Sequence, residues 1–222
     1  MKWQCKWLTG AHLKWLAILS MLIDHIGIVL FPGNITLRII GRFAFPVFCF
    51  LLVEGFWHTR SKLKYLRNLV IFAVVSEVPF DLALDGKLWS LRYQNVFFTL
   101  ALGFIAIWLA EYWLKKDIRN QIPALLAAVG PAILAEYLHT DYGAVGVLVI
   151  FIMYMMHFKP LLGAFVSWVV LALSFSLEVY SLPFVLAIAM YNGKRGRQAK
   201  YFFYVFYPAH LLLLVMIKAV IF

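Results

Sequence analysis

Charged and imidazole side chains interrupt the long apolar runs of this sequence, and their placement limits what the chain can fold into. Each Asp, Lys or Arg near the centre of a membrane-spanning helix costs roughly 2.5–3.5 kcal/mol on insertion scales. Residues of this kind inside or at the edge of apolar runs are Asp24, His25, Arg42, Glu54, Glu77, Asp81, Glu136, Asp141 and His210. So many polar groups predict a site enclosed by helices, either for chemistry or for transport.

The composition is typical of a membrane protein. Of the 222 residues, 64% are hydrophobic and 14% are charged, whereas soluble domains have about 45–50% apolar and about 25% charged residues. Apolar stretches long enough to cross a bilayer repeat along the whole chain, and no soluble domain or long linker is visible. We therefore predict an all-α, polytopic transmembrane helical bundle that forms a single domain over residues 1–222.

The apolar runs and the basic residues together predict the topology. The runs are about 13–31, 37–57, 66–84, 95–114, 122–138, 143–157, 161–191 and 201–221. The 161–191 run is too long for one span, and its polar middle ends at Pro183, as expected for a short hairpin of two helices. About nine spans then keep most Lys and Arg in cytoplasmic segments, including the very basic loop 192–200. The predicted N-terminus is cytoplasmic and the predicted C-terminus is extracytoplasmic.

The positive-inside rule also accounts for the net charge of +10. We therefore expect the lipid bilayer as a partner and no nucleic-acid partner. The sequence contains no Walker A, HExxH, CxxC or GxSxG pattern. A metal site built from His25, His210 and carboxylates has no diagnostic spacing, and we assign none.

Helical rise of about 1.5 Å per residue orders the polar residues by depth. Four fall near the bilayer midplane: Asp24, His25, Glu77 and His210. Seven fall nearer the outer face: Arg42, Asp81, Gln94, Asn95, Glu136, His139 and Asp141. A midplane imidazole suits a general base that both faces can reach. An interhelical hydrogen bond is the structural alternative for either His.

Three polar features each have two interpretations. Glu77 and Asp81 lie four residues apart on one helix face, where bare carboxylates repel, so either Arg42 stands between them or one is protonated. Arg42 is alternatively a structural residue that pairs with Glu77, Asp81 or Glu136. The loop 192–197 is either an ordinary basic loop or a site for the phosphates of a cytosolic cofactor.

Seven sequence blocks carry a family resemblance. They are Leu19–Gly27, Arg38–Phe56, Ser76–Asp81, Gln94–Thr99, Thr140–Gly143, Tyr191–Gly196 and Lys200–His210. In this order they resemble the TraX family over residues 13–212, nearly the whole chain. The founding member is implied in N-terminal acetylation of conjugative F-type pilin in the bacterial inner membrane, with acetyl-CoA as donor. The family is more distantly similar to multi-span acyltransferases that serve extracytoplasmic acceptors.

The resemblance implies transfer of an acetyl group from cytosolic acetyl-CoA to an amine or hydroxyl at the outer side of the membrane. The acceptor would be a pilin, another peptide N-terminus or a glycan. We expect His25 as the base, with Asp24 or Glu77 fixing its tautomer and His210 as the second candidate base or oxyanion stabiliser. Expected substrate-binding residues are Arg42, Asp81, Asn95, Asp141, Tyr142 and Tyr207. Expected cofactor-binding residues are Asn192, Lys194, Arg195 and Arg197.

Two other functions are compatible with the same residues. Midplane carboxylates, imidazoles and proline-kinked helices suit a proton-coupled transporter or exporter, although no inverted repeat is evident. A non-catalytic membrane assembly factor would use the polar groups only for helix packing.

Overall fold

A computed structural model describes residues 6–117, 119–197 and 200–221, of which the side chains at 200 and 201 are left undescribed. Within these ranges the chain is helical, and its β-type pairing is limited to isolated bridges between Leu8 and Tyr191 and between Gln94 and Thr140. The helices are α1 (Gly10–Val29), α2 (Ile35–Gly41), α3 (Ala44–His58), α4 (Lys62–Leu84), α5 (Val96–Lys116), α6 (Gln121–Tyr137), α7 (Gly143–Met155), α8 (Pro160–Ser174), α9 (Pro183–Ala189) and α10 (Lys200–Ile221). A 3₁₀ turn, Ser176–Ser181, joins α8 to α9. The predicted all-α class is confirmed.

Among the described residues, four helical stretches are long and apolar enough to cross a membrane: Gly10–Val29, Ile35–His58, Val96–Lys116 and Phe202–Ile221. The predicted 161–191 run is broken in its middle, because α8 ends at Ser174 and α9 starts at Pro183. Proline favours the first turn of a helix, where its missing N–H costs nothing. The count of nine spans and the orientation of the termini stay predictions.

The chain divides into two compact units. The terminal unit contains residues 1–51 and 156–222, and the central unit contains residues 52–155. In the terminal unit, α1 packs against α2 and α10, α8 packs against the 3₁₀ turn and α9, and α2 also contacts the 3₁₀ turn. In the central unit, α5 packs against α4, α6 and α7.

Glycines allow α2 to approach α1 closely. A Cβ on Gly27 would lie 2.8 Å from the Leu37 Cβ, and a Cβ on Gly41 would overlap the Asp24 side chain. The Ser20 hydroxyl donates to the Ile40 carbonyl oxygen at 2.7 Å, which fixes the same contact with a hydrogen bond. This close approach positions the polar residues of α2 beside those of α1.

Candidate functional site

Two histidines from opposite ends of the sequence meet inside the terminal unit. Nδ1 of His25, on α1, lies 2.8 Å from Nε2 of His210, on α10. Nδ1 of His210 lies 2.7 Å from the carbonyl oxygen of Phe206, one turn earlier on α10. Both histidines are buried, and the Phe206 ring stacks on His210 with ring centroids 4.8 Å apart. The Tyr207 ring contacts both imidazoles edge-on.

The Phe206 carbonyl determines the tautomers of the neutral pair. A carbonyl oxygen only accepts hydrogen bonds, so Nδ1 of His210 must carry the proton and Nε2 of His210 must accept. Nδ1 of His25 is therefore the donor in the bond between the rings. Nε2 of His25 then keeps its lone pair, which is the form that a general base requires.

Asp24 lies beside His25 in sequence, but its side chain binds two arginines. One arginine lies within α2, and the other lies at the C-terminal end of α2. Its Oδ1 accepts from Nη2 of Arg42 at 2.7 Å, and its Oδ2 accepts from Nη1 of Arg38 at 3.0 Å. The Nε of Arg42 also donates to the Arg38 carbonyl oxygen at 3.0 Å. Both carboxylate oxygens of Asp24 are thus engaged by charge-assisted hydrogen bonds.

Glu178 completes this ion network from the 3₁₀ turn. Its Oε1 accepts from Nη1 of Arg42 at 3.3 Å, and its side chain is only 1% exposed. Within the described part of the chain, the ion pairs of this network join two arginines to two carboxylates: Arg38, Arg42, Asp24 and Glu178. Equal numbers of opposite charges, joined by hydrogen bonds, are the arrangement that makes buried ions tolerable.

These contacts correct two expectations from the sequence. The His25 tautomer is fixed by His210 and the Phe206 carbonyl, not by Asp24 or Glu77, because successive side chains on a helix diverge and Asp24 turns to the arginines. Arg42 forms its described ion pairs with Asp24 and Glu178, and not with Glu77, Asp81 or Glu136.

Sequence reasoning missed Arg38 and Glu178 as members of the site. Glu178 could have been found, since an acidic residue within an apolar stretch suggests a partner at membrane depth. Arg38 lies one turn before Arg42, at the spacing that places two residues on one helix face.

Glu77 lies in the central unit and is bound to the start of α5. Its Oε2 accepts from the backbone N–H and the side-chain amide of Asn95. The Asn95 amide also donates to the Ala73 carbonyl oxygen at 2.8 Å, and its Oδ1 accepts from the backbone N–H of Phe97 as the N-cap of α5. Asn95 therefore connects α4 to α5.

Asp81 lies one turn after Glu77 and has a different partner, because its Oδ2 accepts from the backbone N–H of Ser90 at 2.7 Å. The Thr99 hydroxyl joins α5 to the turn between α6 and α7 through the Thr140 hydroxyl and the Asp141 carbonyl oxygen. Asp81 and Asp141 are thus held by different segments of the central unit.

The turn between α6 and α7 adopts an uncommon backbone. His139 has φ 51° and Tyr142 has φ 66°. Both angles lie in the left-handed region of backbone conformation, which residues other than glycine rarely adopt. The turn is held in this form by backbone hydrogen bonds between Gln94 and residues 139 and 141. Such conformations persist where the surrounding structure imposes them, and they are enriched at functional sites.

The basic loop 192–197 is tied to the start of α1. The backbone N–H groups of Gly10 and Ala11 donate to the carbonyl oxygens of Lys194 and Arg195 at 2.8 and 2.9 Å. Asn192 Oδ1 accepts from the backbone N–H of Lys194 at 2.9 Å. Glycines 193 and 196 have positive φ, and the loop approaches Thr9 closely at the second of them.

The backbone of this loop faces α1, while the side chains of residues 193–197 are exposed. The loop therefore displays three cations, Lys194, Arg195 and Arg197, on a fixed backbone. Lys200 also belongs to this basic segment of the sequence, but its side chain lies outside the described residues. The described part of the chain contains no cluster of three or more His, Cys, Asp or Glu residues that could hold a metal ion.

Helices of membrane-spanning length around a buried imidazole pair and an internal ion network define a helical membrane protein with an enclosed polar site. Residues 9–218 match the family model described as TraX protein, and the chain belongs to this family. The resemblance inferred from the sequence blocks is confirmed.

Two relatives extend this comparison. The chain is 30% identical over 239 aligned positions to a probable fimbrial assembly protein FimC, serogroup H1, of Dichelobacter nodosus, covering 93% of this chain and 94% of the relative. It is 41% identical over 66 residues to an uncharacterized protein of Rickettsia prowazekii, covering 30% of this chain and 25% of that protein. No solved structure matches the chain significantly.

Proposed function

We propose that this protein is an acetyltransferase of the bacterial inner membrane that moves an acetyl group from cytosolic acetyl-CoA to an amine at the outer side. The observation that carries the proposal is the hydrogen-bonded pair of His25 and His210, in which the Phe206 carbonyl leaves Nε2 of His25 unprotonated. An imidazole oriented in this way by a second group is the usual form of a general base in acyl transfer.

In the proposed reaction, Nε2 of His25 accepts a proton from the acceptor amine while the amine nitrogen attacks the thioester carbon. A C–N bond forms, the C–S bond breaks, and Nε2 returns its proton to the departing sulfur. While His25 is doubly protonated, its Nδ1–H continues to donate to Nε2 of His210, and this acceptor stabilises the positive charge. The proton balance closes without any other reactant.

With this tautomer, His210 has no free N–H group, so we do not propose it as an oxyanion donor. In the neutral pair its one N–H is bound to Phe206, and its other nitrogen accepts from His25. The remaining candidates for polarising the thioester carbonyl are the Tyr207 hydroxyl and Arg38. Arg38 is the more accessible arginine of the ion network, with 27% of its side chain exposed against 13% for Arg42.

The donor is proposed to bind at the basic loop through side chains. The first two backbone N–H groups of α1 are occupied by the carbonyl oxygens of Lys194 and Arg195, so they do not offer an anion site. Lys194, Arg195 and Arg197 are the exposed groups that would meet the CoA phosphates, and Asn192 fixes the loop backbone.

The acceptor side is proposed to include Asp81, Asn95, Asp141 and Tyr142 of the central unit. The relative named as a fimbrial assembly protein supports a pilin or similar peptide as the acceptor. Arg42, first expected to bind substrate, is here assigned to holding Asp24 and Glu178 in place.

A second candidate function is a fimbrial assembly factor without catalytic activity, which the name of the same relative favours. In that case the imidazole pair and the ion network only hold α1, α2, α10 and the 3₁₀ turn together. The two functions differ in whether acetyl-CoA is consumed.

The test compares acetylated envelope peptides and glycans by mass spectrometry between the host and its deletion strain. Complementation should restore a missing acetyl group with the wild type but not with His25→Gln. The control is His58→Gln, because His58 is exposed and bonds only a carbonyl of its own helix. Identical acetylation with and without the protein, at normal expression, would favour the assembly factor.

A further inference from the structure

Two consecutive residues of α4 carry buried polar atoms that have no hydrogen-bond partner. These are Oγ of Ser76 and Oε1 of Glu77. Ser76 is 0% exposed and Glu77 is 3% exposed. Among the described residues of the central unit, these are the two side-chain atoms in this condition. Buried polar atoms are nearly always paired, so adjacent exceptions point to a missing ligand.

Glu77 also lacks a charge partner among the described residues. Its polar contacts are the two N–H donors of Asn95, and both bind the same oxygen, Oε2. No Lys, Arg or His of the described chain forms an ion pair with it. An unpaired carboxylate in a low-dielectric interior is strongly unfavourable.

Protonation of Glu77 would remove the charge but would leave the open oxygen. Because Oε2 accepts from Asn95, the added proton would sit on Oε1, which forms no hydrogen bond with the described residues. Protonation would therefore replace an unsatisfied acceptor with an unsatisfied donor. A positively charged ligand satisfies both the charge and the open oxygen.

The local backbone adds a third oxygen. Pro79 lies inside α4 and has no N–H, so the Val75 carbonyl loses its helical hydrogen-bond partner. Pro79 is itself buried. Carbonyl oxygens released at interruptions of membrane helices are known ligands for monovalent cations. The turn Val75–Pro79 thus carries a carboxylate, a hydroxyl and a carbonyl oxygen on three consecutive residues, of which the long Glu77 side chain is the one that can reach toward the other two.

We propose that Glu77 and Ser76 form a binding site for a monovalent cation, which is either an alkali ion or the ammonium group of a small primary amine. Both sources offer one positive charge to Oε1 of Glu77. The site belongs to the central unit and does not depend on the acetyl transfer proposed above. An ammonium ligand would, however, identify the site as one that recognises amines.

The experiment measures the melting temperature of the purified full-length protein in detergent at equal ionic strength in three salts. Sodium chloride supplies an alkali ion, methylammonium chloride supplies a primary ammonium, and choline chloride supplies a bulky cation without N–H donors. The wild type should melt at a higher temperature in sodium or methylammonium than in choline, because a ligand that binds only the folded state stabilises it. Glu77→Gln should abolish the difference.

Asp85→Asn is the matched control, since Asp85 is an acidic residue at the end of the same helix whose oxygens bind Ser90 and Arg92. It should keep the wild-type response. A response to sodium alone identifies an alkali-ion site, and a response to methylammonium alone identifies an amine site. Equal melting of the wild type in all three salts, or a response that survives Glu77→Gln, would overturn the proposal.

If Glu77→Gln does not fold, Ser76→Ala decides the question. This variant keeps the carboxylate and removes only the buried hydroxyl. The cation concentration that gives half of the melting shift should rise several-fold, as expected for the loss of one oxygen ligand. An unchanged midpoint together with an unchanged shift would exclude Ser76 from the site and overturn the proposal.

Discussion

Replacing Arg42 with methionine should strongly destabilise the terminal unit. The ion network holds two positive and two negative groups, and Arg42 contacts both carboxylates. After the change, Asp24 keeps Arg38, but Glu178 loses the Arg42 guanidinium while its side chain remains 1% exposed. Removing one partner of a buried ion pair costs about 3–5 kcal/mol. For a chain of this length, about 2–4 °C per kcal/mol gives a fall in Tm of roughly 6–20 °C.

The assay is thermal unfolding of the purified protein in detergent, with two reference variants. Arg92→Met removes an exposed arginine that lies 4.0 Å from Asp85, so its effect should stay within about 0.5 kcal/mol. The double variant Arg42→Met/Glu178→Gln restores the charge balance and should recover most of the loss. The reasoning is refuted if Arg42→Met melts like Arg92→Met, or if the double variant is no more stable than the single one.

Three further predictions concern the donor loop, the topology and helix packing. Neutralising Lys194 and Arg195 together should raise the KM for acetyl-CoA far more than it lowers kcat. Unchanged CoA binding in a calorimetric measurement would mean that the basic residues of the loop serve only the membrane topology. A reporter fused at Gly196 should report the cytoplasm, and an extracytoplasmic signal there would contradict the nine-span topology. Gly41→Ala should lower Tm because its Cβ overlaps Asp24, whereas Gly130→Ala, with open space around it, should melt at or above the wild-type temperature.

The sequence predicts the kind of fold and the depth of the polar groups. Long apolar runs define the helices, and helical rise places His25 and His210 at one level. Their hydrogen bond agrees with that expectation. Depth does not determine the rotation of each helix about its axis, which decides which side chains face each other. For this reason the partners of Asp24 and Arg42 were not predictable from the sequence.

The other unpredicted features depend on irregular backbone. Glu178 reaches Arg42 because a 3₁₀ turn, and not a continuous helix, follows α8. The left-handed conformations of His139 and Tyr142 have no strong signal in residue type, since neither position is glycine. The hydrogen bonds between the basic loop and α1 join segments about 180 residues apart, and no local pattern encodes such a pairing.

The most direct test of the proposed reaction is the transfer of radiolabelled acetyl from acetyl-CoA to envelope material of the deletion strain by the purified protein. The wild type should incorporate label in proportion to time and enzyme. General acid–base catalysis contributes about 10²–10⁴-fold, so His25→Ala should lower kcat by that order while CoA binding is kept. Near-wild-type turnover by His25→Ala, or no transfer by the folded wild type, would contradict the account.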